Sequence, residues 1–454
     1  MSGQAKNLPS PVAQCGRHGV ARILPTSRQH DVRTSGSEPG RERSADPTRA
    51  ARHDDGDTGD VEERIRVHDF ASRGVEVCSW TLLYILYSGL CHREPAAAAC
   101  PWATCARGPT HPYEGDDEML QDARFGDSPG MPAGWFQIAW SRQIDPCGVV
   151  PLRYFEQDLV LYREASGRLQ LVDAYCPHMG AHLGFGGCVD GMTIVCPFHG
   201  WRFDSEGANV EIPYSTRPNR SKALRHWEVV EVGDALVVAW YHPDGAASSW
   251  SAPSIPELGS HDYHDPYPHA TRHYVGVEMH PEWSAENTVD FSHFRYVHQT
   301  PDFARITEVC AEGPTLRVEL ELPMKFFGRD GEEDRVQHTT NRTTSHGLGI
   351  VTAQFSGDRS LHIQAQTPVD QTHCDLFTTI AVARDETETL SESARRRIEM
   401  EFIQVERDLT IWEHRRMDPH PALALEEAKP HATFARWARQ FYRDQPVSMP
   451  TTST

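Results

Sequence analysis

From Gly134 onward, short apolar runs alternate with clusters of Gly, Pro, Asp and Ser. Trp135–Trp140, Leu159–Tyr162, Leu169–Val172, Trp227–Val232 and Ala235–Trp240 are rich in β-branched and aromatic residues, which predicts a small antiparallel β domain. The stretch HPDGAASSWSAPSIPELG after Trp240 reads as an interdomain connection. Further runs at Leu316–Leu322, Gly349–Phe355, Leu361–Gln366 and Leu376–Ala383 predict a second antiparallel sheet. The period then changes. Between about Glu388 and Arg416, Ile398, Phe402, Val405, Leu409 and Trp412 recur at helical spacing and mark one apolar stripe. The pattern predicts an α+β protein: an all-β domain over residues 133–242, a linker over 243–257, and over 258–445 a curved antiparallel sheet gripping a long C-terminal helix.

The first part of the chain reads differently. Residues 1–118 are rich in Arg, Ala, Gly, Pro, Ser and Asp and keep no sustained period. They are expected either to be mostly disordered or to lie upstream of a natural start at Met119 or Met131. Val77–Leu90, the most apolar stretch there, falls short of the ~20 residues a spanning helix needs, so membrane contact through a short interfacial anchor is not the favoured reading. The formal charge of −20 argues against nucleic acid as the main partner. The 11 cysteines are neither dense nor regularly spaced outside one motif, and no apolar segment follows Met1. A cytoplasmic location is therefore expected.

That motif is the pair Cys176-Pro-His178 and Cys196-Pro-Phe-His199. Each half supplies one thiolate and one imidazole, and the halves stand seventeen residues apart. A Cys2His2 zinc site is the alternative, but zinc fingers pair Cys with Cys and His with His locally. Mixed pairs suit a Rieske [2Fe–2S] cluster, in which two imidazoles replace two thiolates and raise the reduction potential. Gly180, Gly184, Gly186, Gly187 and Gly200 leave room for the backbone to approach sulfide, and Pro177 and Pro197 stiffen the loops. Cys188 reads as an ordinary buried thiol. The segment CPHMGAHLGFGGCVDGMTIVCPFHGWRFDSEG resembles the Rieske domains of ring-hydroxylating and related oxygenases. Ala181 and Phe198 stand where respiratory Rieske proteins carry a bracing disulfide.

A second constellation lies at Glu286–His298, where Asn287, Asp290, His293 and His298 sit among aromatic residues. Asp290 and His293 share a face if the segment is helical. His293 and His298 are about 140° apart on an ideal helix, so they meet at one ion only if the helix is distorted or ends between them. A His pair alone is weak evidence, but an electron-transfer domain ahead of it implies an acceptor site. The segment from about Gly134 to Tyr442 resembles the Rieske non-haem iron oxygenases. FIQVERDLTIWEHRRMDPHPAL and FARWARQFYRD resemble the end of the 3-ketosteroid 9α-hydroxylase oxygenase component, and the same subgroup resembles sterol 7-desaturases.

The resemblance implies Fe2+ held by His293, His298 and a carboxylate of the C-terminal helix, a facial triad with open positions. The match falls on Asp408, with Glu401, seven residues earlier on the same edge, as its rival. Asp290 would link a cluster histidine of one subunit to an iron histidine of the next, which implies a ring-shaped oligomer, most simply a homotrimer. Its alternative is a helix-surface acid, and Asn287 is either a further site residue or a helix cap. The implied activity is O2-dependent hydroxylation of a steroid or similar apolar polycyclic substrate. Because no convincing flavin or nicotinamide motif is present, electrons would come from a separate NAD(P)H-dependent reductase or ferredoxin. Sterol desaturation and a non-catalytic Rieske electron carrier are the alternatives.

Overall fold

The computed structural model describes residues 124–326, 335–356, 359–384 and 389–442. The expectations for residues 1–118, including Val77–Leu90, lie outside the described residues. Among those described, no helix is long and apolar enough to cross a membrane.

The first domain is built from three small sheets. Strands β1 (Gly134–Trp140), β10 (Val229–Val232) and β11 (Leu236–Tyr241) form one, with β11 central. Strands β2 (Val149–Tyr154), β3 (Gln157–Arg163), β4 (Leu169–Asp173) and β9 (His226–Trp227) form the second. The third consists of β5 (Cys188–Asp190), β6 (Thr193–Val195), β7 (Arg202–Phe203) and β8 (Asn209–Glu211). The run Trp227–Val232, read from sequence as one strand, serves two sheets. Trp227 pairs with β4, and from Val229 the chain pairs with β11. Between them, the Glu228 carboxylate accepts from the Ser248 N–H and hydroxyl, which ties the strand switch to the connecting segment.

The second domain is one seven-stranded antiparallel sheet in the order β12, β18, β17, β16, β15, β14, β13. Its strands are β12 (Thr271–Glu278), β13 (Arg305–Glu312), β14 (Thr315–Phe326), β15 (Arg335–His346), β16 (Ile350–Phe355), β17 (Ser360–Pro368) and β18 (His373–Val382). Helix α1 (Pro281–Glu286) and the four-residue α2 (His293–Tyr296) follow β12. Helices α3 (Glu392–Trp412) and α4 (Leu425–Ala438) end the domain. The stripe expected on the long helix is the buried one: Ile398, Phe402, Val405, Leu409 and Trp412 all lie inside.

Strand periodicity divides the work of this sheet. On β17, Leu361, Ile363 and Ala365 join Trp135, Phe136 and Ile138 of β1 in one apolar core. The alternate residues, His362 and Gln364, line a cavity on the other face. The two domains therefore share a core through the back of the sheet. Polar contacts fix the same junction: Trp140 Nε1 donates to Thr379 Oγ1 at 2.8 Å, and Tyr154 Oη donates to the buried Asp375 Oδ2 at 3.0 Å. Residues 243–257 carry no helix or strand, yet Ile255 is buried in this core and Trp250 packs against it.

Ile363 is fully buried at the centre of the shared core. Ile363→Ala should lower the unfolding free energy by about 2–5 kcal/mol in denaturant titrations. Val275→Ala, at an exposed position, should change it by less than about 0.5 kcal/mol.

Candidate metal centres

The two Cys/His pairs lie on loops of the first domain, between β4 and β5 and between β6 and β7. The loops are built alike. The Gly180 N–H donates to Cys176 O and the Gly200 N–H to Cys196 O, at 2.9 and 3.1 Å. Both glycines have positive φ, +72° and +69°, a conformation that costs other residues strain. Gly187 answers a different need, since a Cβ there would lie 2.1 Å from Leu183 O.

Cys176 and Cys196 are buried and close enough for their thiols to interact, and burial pushes the Cys176 thiol up to about 11. His178 and His199 stand beside them with ring centroids 4.7 Å apart. Trp201 stacks on His178 at 4.4 Å and 9°, and donates through Nε1 to Tyr214 Oη. His199 Nδ1 is buried with no hydrogen-bond partner. Two sulfurs and an orphaned imidazole nitrogen in one pocket fit a Rieske cluster, whose iron would also reverse the burial penalty on the thiolates. Cys188 departs from expectation: it is exposed. On the short strand β5, Val189 points inward, so its neighbours Cys188 and Asp190 face out.

In the second domain His293, His298 and Asp408 each offer a ligand atom, all within 4.8 Å of one another. The helix does end between the two histidines. Helix α2 stops at Tyr296, Gln299 takes a left-handed φ of 58°, and Thr300 precedes a proline that disfavours further helix. The break brings the rings to a centroid distance of 5.0 Å. Asp290 lies just before α2 rather than on it, and its Oδ1 accepts from the N–H groups of Ser292 and His293.

Each ligand is oriented by a neighbour. His293 Nδ1 donates to the Asp290 main-chain oxygen at 2.5 Å, and His298 Nδ1 to Gln404 Oε1 at 3.1 Å. With Nδ1 committed, Nε2 is left as the basic nitrogen, and His298 Nε2 lies 3.5 Å from Asp408 Oδ1. Asn287 ends α1 and also donates from its side chain to Asp408, so it is both a helix cap and a neighbour of the site. Glu401 is not in this group; its carboxylate lies 3.6 Å from His362 Nδ1.

Burial and the neighbouring charge of Asp290 raise the Asp408 carboxyl well above the usual carboxylate range. Burial and the proximity of His293 push His298 down to about 3, and burial lowers His293 as well. The pocket therefore holds two neutral imidazoles and a carboxyl that ionises readily only beside a cation. This donor set suits Fe2+. Gln404 was not foreseen from sequence. Its signal was its place four residues before Asp408, on the same face of the helix.

The site opens into a cavity of about 830 Å³ between the sheet and α3, within the size range of small-molecule pockets. Leu322, Val351, Ala353, Phe355 and Val382 supply much of its apolar wall.

Asp408→Ala should yield protein that keeps its cluster absorption but has lost the mononuclear iron by metal analysis, while Glu401→Ala keeps both. Gln404→Ala should weaken iron binding about 10–100-fold in a competition titration with a chelator.

Comparison with known proteins identifies both domains. Residues 134–232 match the Rieske [2Fe-2S] domain and residues 239–442 the 3-Ketosteroid 9alpha-hydroxylase C-terminal domain. The chain is 29% identical over 343 residues to cholesterol 7-desaturase nvd 1 of Ciona intestinalis, covering 71% of each protein. It is 26% identical over 332 residues to the 3-ketosteroid-9-alpha-monooxygenase oxygenase component of Rhodococcus rhodochrous, covering 68% of this chain and 84% of that one. The crystal structure of dicamba monooxygenase bound to 3,6-dichlorosalicylic acid shares the fold, with a TM-score of 0.54 at 18% identity over 68% of this chain and 97% of that one. With its cluster domain ahead of a mononuclear-iron domain, the chain belongs to the Rieske-type oxygenases as an oxygenase component.

Proposed function

We propose that the chain oxidises an unactivated C–H bond of a steroid or similarly fused-ring lipid, inserting one oxygen atom from O2. The observation that carries this reading is a large, mainly apolar cavity that ends at His293, His298 and Asp408. Cys176, His178, Cys196 and His199 hold the cluster, and His293, His298 and Asp408 hold the iron. When bound, the cluster supplies single electrons and the iron supplies O2 activation. The protein's own contribution is positioning. Asp290 and Gln404 fix the two imidazoles, Asn287 restrains the carboxylate, and the apolar walls exclude water while presenting one face of the substrate to the iron.

An oxygenase component draws on a separate reductase or ferredoxin, and the reducing environment its thiolates require fits a cytoplasmic location. Several features support a homotrimer in which the cluster tip of one subunit meets Asp290 of the next. Met179, Phe185 and Phe198 are exposed on the cluster loops, and Asp290 is half-buried beside His293. The division at residues 133–242, 243–257 and 258–445 follows the same logic.

Similarity to cholesterol 7-desaturases from several animals favours a second reading, removal of two hydrogens from a sterol. Both outcomes begin with the same hydrogen abstraction. A non-catalytic carrier has no use for a second metal centre at the end of a cavity.

Incubating the protein with a reductase, O2 and a panel of 3-ketosteroids and sterols, followed by product mass, separates the readings. A gain of one oxygen supports insertion, a loss of two hydrogens supports desaturation, and no turnover of any steroid contradicts the substrate class. Asp290→Asn should keep cluster and iron at wild-type content while slowing product formation by about 10–100-fold.

A further inference from the structure

The cavity wall carries a polar pair that the iron site does not use. His362, on the cavity face of β17, directs Nδ1 toward Glu401 Oε2 of α3 at 3.6 Å, too long for a good hydrogen bond. His362 Nε2 is buried with no hydrogen-bond partner. Both residues line the cavity, beside the apolar side chains of Ala353, Phe355, Val382 and Met400. His362 therefore keeps unused hydrogen-bonding capacity on a wall that also carries the polar side chains of Gln364 and Arg397.

Its position along the helix is specific. On the cavity face of α3, Asp408 stands at the iron, and Gln404, one turn back, is committed to His298. Glu401 comes next, about 10 Å from Asp408 along the helix axis. Arg397 lines the same wall another turn away. A group bound at Glu401 thus sits to one side of the iron, at a separation that a fused-ring skeleton spans.

We propose that Glu401 and His362 form a subsite for a hydroxyl group of the substrate and select the alcohol over the corresponding ketone; this rests on the steroid-type reading above. In the tautomer with the proton on Nε2, a hydroxyl accepts from the imidazole and donates to the carboxylate, so it satisfies both partners at once. A ketone oxygen only accepts. It meets His362 but sets its lone pairs against the Glu401 carboxylate and leaves that acceptor unpaired. Sites built to hydrogen-bond a substrate hydroxyl reject analogues lacking it for this reason.

The test compares kcat/KM for the 3-hydroxy and 3-keto forms of one sterol skeleton, using wild-type, Glu401→Gln and Glu401→Asp proteins whose iron content and cluster spectrum are measured in parallel. Wild type should favour the alcohol by at least about tenfold. Glu401→Gln, whose amide also donates, should collapse or invert that ratio, chiefly through KM, with iron and cluster retained. Glu401→Asp should keep the direction of preference. Equal use of both forms or a ketone preference in wild type, an unchanged ratio in Glu401→Gln, or loss of iron or cluster in that variant would each overturn the subsite while leaving the steroid reading in place. Failure of wild type to turn over either form, or any other steroid of the panel, would overturn both.

Discussion

A carboxylate and two imidazoles buried together are unstable neighbours without a cation, and much of the second domain serves to hold them so. Asp408 sits on a helix of 21 residues, at the edge of an apolar stripe that is anchored in the core. His293 and His298 flank the end of a four-residue helix that breaks where it must. Neither arrangement would survive on a mobile scaffold. Burial that favours neutral histidines also penalises the Asp408 charge, and an iron(II) ion bound there would resolve the conflict by pairing with the carboxylate and taking both imidazoles. The sheet completes the enclosure, with its outer face packed on the cluster domain and its inner face lining the cavity.

Legibility in the sequence followed chemistry and periodicity. The cluster pairs were readable because Cys and His at that spacing have few other uses. The stripe from Ile398 to Trp412 was readable because packing against a sheet imposes a 3.6-residue period. Strand β15 was not: Arg335–His346 contains one apolar residue, Val336, among twelve. It borders the cavity with Thr339, Asn341 and Thr343, so polarity suited to a ligand pocket erased the usual strand signal. Strand β13, at the sheet edge, is mostly exposed and lacked a buried face to read. Helix α4 contains Pro430, which breaks the sequence pattern near the helix start. Contacts such as Gln404 with His298 depend on two segments meeting in space, and a single sequence does not record that.

The proposed iron site would serve oxygen insertion and desaturation alike, so the choice between them would lie with the walls of the cavity. How rigidly the substrate is held after the first hydrogen is lost governs whether a second hydrogen or an oxygen atom is within reach. The apolar wall formed by Leu322, Val351, Phe355 and Val382 would set orientation, while the proposed subsite on α3 and β17 would fix where the skeleton is tethered.

Iron and acid-labile sulfide analysis of the purified wild-type chain, before and after mild chelation, tests the central claim most directly. One cluster and one mononuclear iron predict three irons and two sulfides per chain, with chelation removing a single iron and leaving the cluster spectrum unchanged. Two irons per two sulfides, with none removable by chelation even after reconstitution with Fe2+, would contradict it.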